Sequence, residues 1–91
     1  MAFDTCSDLT DTADLLKVLG NHVRFRIVAL LCVGERNVTS IWEYLGLRQA
    51  TVSQHLALLR GKGIIAGVRN GVEVRYRVVH PLARKIVEAV G

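Results

Sequence analysis

Cysteine is scarce in this 91-residue chain. Cys6 and Cys32 are the only two, too few for the disulfide framework that staples small secreted domains. Long apolar runs are missing as well. The longest, Ile27 to Val33, covers seven residues, whereas a membrane-spanning helix needs about 20. The N-terminus is acidic and has no apolar stretch, so no secretory signal is expected and the expected compartment is the cytoplasm, where cysteines are thiols by default. There is no Ser-His-Asp grouping, no phosphate-cradling glycine loop and no evident pair of catalytic carboxylates, which argues against an enzyme and leaves no catalytic residue to name. Repeats, low-complexity stretches and linkers are absent too. A chain of this length makes one domain, residues 1–91.

What is present is apolar and basic. Hydrophobic residues make up 51% of the chain, high for a small soluble monomer, and imply apolar surface reserved for a partner subunit. The net charge is +4, unevenly spread. Asp4, Asp8, Asp11 and Asp14 precede the first basic residue, and from Lys17 onward twelve Lys and Arg face four acids. A basic body of this kind suits phosphate binding, although many solvated surfaces share it.

Periodicity and punctuation predict the elements. A first helix is expected over Thr10 to Leu19, with Ala13, Leu16 and Leu19 (and Leu15) on one side. Gly20 would stop it in a left-handed conformation and Asn21 would cap the next. The second helix, His22 to Cys32, should bury Val23, Ile27, Leu30 and Leu31 and end at Gly34. Val38 is a candidate strand contact. Thr39 or Ser40 should cap a third helix, since Ser40 and Glu43 have capping-box spacing. Gly46 breaks that helix. A fourth runs from Gln49 to Lys62 with an apolar stripe of Val52, Leu56 and Leu59.

A short helix, a tight turn at Gly46 and a second amphipathic helix form a helix-turn-helix, whose second member is shaped to enter a DNA major groove. Two packed helices of an unrelated small domain would look alike over this stretch alone, but the next sixteen residues separate the two readings. From Ile64 to Val79 the chain reads as a hairpin turning at Asn70-Gly71, and Val72, Val74, Tyr76 and Val78 alternate with Glu73, Arg75 and Arg77. A hairpin carrying Arg69, Arg75 and Arg77 on its polar face and tip places cations beside the groove. Pro81 opens a last helix, to Val90, with Leu82, Ile86 and Val90 at four-residue spacing. The expected fold is therefore mostly α with a small β-hairpin: a winged helix-turn-helix extended by a helix at each end.

Recognition would rest on Gln49, Ser53 and Gln54, with Ala50 and Thr51 near the groove. Gln can bond both N6 and N7 of adenine, Ser suits either partner, and Ala or a Thr methyl packs on a thymine methyl. His55 lies one position from the apolar stripe and could serve the groove or the packing. Arg60, Lys62, Arg69, Arg75 and Arg77, with Asn70 at the wing tip, are phosphate contacts that position without specifying. Arg48 precedes the fourth helix, where it cannot cap and where a cation opposes the helix dipole. A DNA phosphate nearby would reverse that penalty.

Over nearly its whole length the chain resembles the ArsR/SmtB family of small bacterial transcriptional repressors. The resemblance is carried by Leu-Gly-Asn-His-Val-Arg-Phe-Arg-Ile-Val-Ala-Leu-Leu at 19–31, by Thr-Val-Ser-Gln-His-Leu at 51–56 and by Gly-Val-Glu-Val-Arg-Tyr-Arg-Val at 71–78. It implies a homodimer closed by the first and last helices, which would put Leu15, Leu16, Leu82, Ile86 and Val90 at the interface. It also implies binding to double-stranded operator DNA and release by a metal ion or thiol oxidation. The family's thiolate site has a Glu-Leu-Cys-Val-Cys-Asp pattern, and this chain has Glu35-Arg36-Asn37-Val38-Thr39-Ser40 instead, so a soft-metal site there is lost. The family's other site needs several ligands in the last helix, where His80 and Glu88 are too far apart to share an ion. His80 reads as a helix-entry residue. Cys32 matches a cysteine of thiol-sensing members whose partner lies in the last helix, but this last helix has none, leaving Cys6. Either Cys32 is a small buried hydrophobe and Cys6 incidental, or the two serve thiol chemistry or a two-thiolate site for a thiophilic metal(loid) such as arsenic(III). The expectation is thus an inducible DNA-binding repressor. Its rivals are a non-inducible DNA binder and a winged helix used as a protein-interaction module.

Overall fold

The computed structural model describes residues 6–90, with side chains from residue 9 onward. Along the chain lie α1 (Cys6–Leu19), α2 (His22–Val33), β1 (Arg36–Asn37), α3 (Val38–Leu45), α4 (Gln49–Gly61), β2 (Ile65–Asn70), β3 (Glu73–Val78) and α5 (Pro81–Val90). The three strands form an antiparallel sheet in the order β1-β3-β2. The hairpin expected from the sequence is β2–β3. The third strand is the two-residue β1, just before the position where Val38 was expected to pair.

α2 is the centre of the molecule. It touches α1, α3, α4, α5 and β3, and Ile27, Val28, Leu30 and Leu31 are buried along it. A helix with neighbours on most sides needs apolar residues around most of its circumference, and this one has them. Asn21 caps it, accepting from the N–H groups of Val23 at 2.9 Å and Arg24 at 3.1 Å; such a cap stabilises by about 1 kcal/mol. Gly20 does not take the expected left-handed conformation. Its N–H closes the end of α1 on the Lys17 carbonyl at 3.2 Å, and the chain leaves the helix at Asn21, which is extended at φ −81° and ψ 126°.

α1 starts at Cys6 rather than Thr10. Cys6 is thus in the first turn of the helix, and its side chain lies outside the described residues. The buried stripe of α1 is Leu15, Val18 and Leu19, a spacing of three and four that lines one helical face. Leu16 and Ala13 fall off that face and are exposed. Leu15, expected at a subunit interface, is thus part of the core of a single chain. Leu9 and Leu16 are large apolar residues that α1 leaves outside, 49% and 50% exposed.

The cap of α3 is Asn37, not Thr39 or Ser40. Its Oδ1 accepts from the Ser40 N–H at 2.8 Å, and the Ser40 hydroxyl accepts from Arg36 Nη1 at 2.9 Å. Pairing of β1 with β3 holds Asn37 in extended backbone at φ −81° and ψ 170°, the geometry a cap requires. Gly46 ends α3 in the left-handed region at φ 69°. Trp42 packs against the core, and Tyr44 is exposed beneath the Arg36 guanidinium, 4.9 Å from its ring centre.

The hairpin turns one residue later than expected. Asn70 pairs with Glu73, so the loop is Gly71-Val72, with Gly71 at φ 68°. Glycine at a positive φ in the first of two loop positions is the pattern of a type II′ turn. α5 buries Ala83 and Val87. Its Leu82 and Val90 are 37% and 69% exposed, and Ile86 is half-buried. His80 performs the entry role expected of it: its Nδ1 accepts from the Ala83 N–H at 3.3 Å.

Candidate nucleic-acid interface

The inner side of α4 is anchored by Val52, Leu56 and Leu59, at most 3% exposed. These anchors sit at i, i+4 and i+7, so the opposite side is set outward. Gln49, Ala50, Ser53 and Gln54 are exposed, and the side chains of Gln49, Ser53 and Gln54 have no protein hydrogen-bond partner among the described residues. Thr51 is half-buried at the edge of this face. Arg48 is exposed at the N-terminus and makes no side-chain cap, as its chemistry requires. Arg60 and Lys62 are exposed at the far end. Lys62 borders a crevice with Asp11, Asp14 and His80, beside the acids of α1.

His55 belongs to the packing side. It is half-buried, and its pKa is lowered first by burial and then by the charges of Arg24 and His22. Arg24 is itself tied down, its Nε donating to the Val18 carbonyl at 2.7 Å. Both α2 residues therefore repel a proton on His55, which favours the neutral ring.

The wing divides its arginines. Side chains of directly paired residues share a face, so Arg69 opposite Val74 lies on the face of Tyr76 and Val78, while Arg77 opposite Ala66 lies on the other. Arg69 and Arg77 are exposed and without an acidic partner among the described residues. Arg75 shares a face with Arg77 but is engaged by neighbouring groups of the chain. Its Nη1 donates to Glu73 Oε1 at 3.0 Å, its Nη2 to the Glu35 carbonyl at 3.3 Å, and its Nε lies 3.7 Å from Glu35 Oε1. Sequence reasoning grouped the three because alternation does not show where the loop before α3 passes. Asn70 is exposed at the base of the turn.

The sensing candidates are less complete. Cys32 is half-buried and unpaired. Burial raises its pKa, the Arg84 charge lowers it and the Glu88 charge raises it. Arg84 Nη1 donates to the Cys32 carbonyl at 3.1 Å, joining the end of α2 to α5. The stretch matching the family's thiolate site does not fit a metal, because Asn37 stands at one cysteine position with both ends of its amide engaged. No group of three or more His, Cys, Asp or Glu that could hold a metal ion occurs among the described residues. No helix among them is long and apolar enough to cross a membrane.

A reading helix on an apolar anchor, preceded by a short helix and followed by a cationic hairpin, defines a winged helix-turn-helix regulator. The family model described as "Bacterial regulatory protein, arsR family" matches residues 21–66, from the α2 cap to the first wing strand. The transcriptional repressor PagR of Bacillus anthracis is 40% identical over 81 residues, covering 88% of this chain and 81% of that protein. Its crystal structure superposes with a TM-score of 0.88 at 36% identity, over 96% of this chain and all of that one. The biofilm growth-associated repressor of Xylella fastidiosa is 36% identical over 80 residues, 88% of this chain and 70% of that protein. The solution structure of the homodimeric winged helix-turn-helix domain of Mb0332 from Mycobacterium bovis superposes with a TM-score of 0.82 at 29% identity, over 99% of this chain and 86% of that one. The chain belongs to the ArsR family and is a DNA-binding transcriptional repressor of that family.

Proposed function

We propose that the chain acts as a homodimer that places α4 of each protomer in successive major grooves of an operator, and that modification of the Cys32 thiol releases it. One observation carries the reading. The outer face of α4 presents Gln49, Ala50, Ser53 and Gln54 to solvent without protein partners among the described residues, while its inner face is closed by the core. A buried anchor fixes the helix, and unpaired short polar groups are what base edges require. Arg48, Arg69 and Arg77 supply phosphate contacts around it, and Arg75 braces the wing through its bonds to Glu73 and Glu35. A protein-interaction module would show apolar side chains at these positions.

The homodimer is supported by apolar surface that one chain leaves uncovered at both ends of the sequence, Leu9 and Leu16 on α1 and Leu82 and Val90 on α5, and by the homodimeric Mb0332 domain. Two-fold symmetry then sets the half-sites about one helical turn apart, ~34 Å. Release is proposed at Cys32 because its backbone is bonded to α5 and its thiol feels the α5 charges, so an adduct there bears on the helix that carries the dimer surface. Burial keeps the thiol protonated, which slows mild oxidants and favours strong thiophiles. Described side chains offer one thiol only. A two-thiolate arsenic(III) site would draw its second sulfur from Cys6, and no step is assigned to it.

Titration of labelled promoter DNA and of random DNA tests both parts. Reduced wild type should prefer the promoter, and Gln49→Ala with Ser53→Ala should lose that preference by about 1–3 kcal/mol per misread base pair. Oxidised or arsenite-treated wild type should bind more weakly, and Cys32→Ser should not respond. Equal affinities throughout the treatments would make Cys32 structural, and equal binding to promoter and random DNA would remove the operator reading.

A further inference from the structure

The wing is joined to the reading unit by side chains of which the proposed function uses only Arg75. The ladder between β1 and β3 ends at the pair Asn37 and Arg75, while β3 continues outward to Glu73 and the hairpin tip. Asn37 crosses that gap. Its Oδ1 caps α3 through the Ser40 N–H at 2.8 Å, and its Nδ2 donates to Glu73 Oε2 at 2.9 Å. The other Glu73 oxygen accepts from Arg75 Nη1 at 3.0 Å, and Arg75 Nη2 reaches back to the Glu35 carbonyl at 3.3 Å. The orientation of the Asn37 amide is forced. Turned over, it would set an N–H against the Ser40 N–H and an oxygen against a carboxylate.

We propose that Asn37, Glu73 and Arg75 form a latch that fixes the wing against the helix-turn-helix, so that Glu73, an acid on a DNA-binding wing, raises affinity for DNA. The inference rests on the DNA-binding reading of the α4 face. A two-stranded ribbon is marginal by itself, and a wing that is free to swing must be ordered at the moment of binding. The latch orders it beforehand, and preorganisation of this kind appears as affinity. All three are positioning residues: Asn37 acts from the start of α3, and Arg75 is already matched by carboxylates.

The sign of one substitution separates the latch from an ordinary surface acid. Removing a carboxylate near phosphates should tighten DNA binding by electrostatics alone. If the latch operates, Glu73→Gln weakens it. Asn37→Ser makes no charge change and keeps a capping oxygen, but is too short to hold Glu73, and it too should weaken binding. The test is fluorescence anisotropy with the 91-residue chain and promoter duplex for wild type, both single variants and the double variant, together with amide hydrogen exchange of the free proteins. Each single variant should lose on the order of tenfold, 1.4 kcal/mol, and the double should lose little more than the larger single. Exchange should quicken in β2 and β3 and stay unchanged in α4. Binding by Glu73→Gln as tight as wild type or tighter, additive losses, or unchanged wing exchange would each overturn the latch. In those cases wild-type binding still stands, and with it the DNA reading. Failure of wild type to bind any duplex would bring down both.

Discussion

The salt dependence of DNA binding should distinguish guanidiniums that meet phosphates from the one already paired with acids. Arg48, Arg60, Arg69 and Arg77 are exposed and unmatched by acids among the described residues. If each protomer of a dimer applies all four, about eight phosphates are neutralised, and log K should fall with log salt at a slope of roughly −7. Raising salt from about 50 to 200 mM then costs on the order of 10⁴-fold in affinity. Arg69→Ala removes a contact from each protomer and should make the slope shallower by about 1.8, with promoter and random DNA affected alike. Arg75→Ala should behave otherwise. Its charge is already opposed by Glu73 at 3.0 Å and Glu35 at 3.7 Å, so few counterions leave on its account. It should lower affinity by a similar factor at every salt concentration, with the slope nearly unchanged. Fluorescence anisotropy across a salt series reads both quantities. A slope change for Arg75→Ala as large as that for Arg69→Ala would refute the division of the wing into acid-paired and unpaired arginines.

Three further outcomes are expected. Ile86→Asp puts a charge beside the exposed Leu82 and Val90 and should yield monomer or unfolded chain; light scattering that still shows an unperturbed dimer would exclude α5 from the interface. Leu59→Ala, at a position with no exposure, should cost about 2–5 kcal/mol, and calorimetry should show a melting temperature lower by roughly 4–8 °C for each kcal/mol. The Glu73 carboxyl is held below the ordinary glutamate value by the Asn37 hydrogen bond and then by Arg75. A depressed carboxylate contributes stability above its unfolded pKa and loses it as pH falls through the folded one. The stability advantage of wild type over Glu73→Gln in urea titrations should therefore be complete at neutral pH and vanish in acid, below the ordinary glutamate range.

Much of this molecule is local and hence readable in one dimension. Asn21 announces the start of α2 because a cap needs only its own helix. The stripe of Val52, Leu56 and Leu59 announces both the inner face of α4 and, by subtraction, the outer one. The alternation from Val72 to Val78 announces a strand. The family resemblance in the recognition helix and wing could be read before any coordinate. Where reasoning along the chain missed, distant segments decided. Ser40 and Asn37 both offer a capping oxygen, and pairing with a strand nearly forty positions downstream gave Asn37 the backbone geometry that uses it. The turn could close at Asn70-Gly71 or Gly71-Val72, and the register running back to Ile65 and Val78 selected the second. Leu15 and Leu16 are adjacent and equally apolar, yet the packing of α1 on α2 places one in the core and leaves the other to solvent. Arg75 and Arg77 follow the same alternation on one face of β3, and only the path of the loop before α3 brings Glu35 to Arg75 and leaves Arg77 free. Propensity and periodicity act over a few residues, so the sequence by itself determined which elements form; which of two similar side chains is consumed by a contact depends on chain segments far apart, and that was decided only when they met.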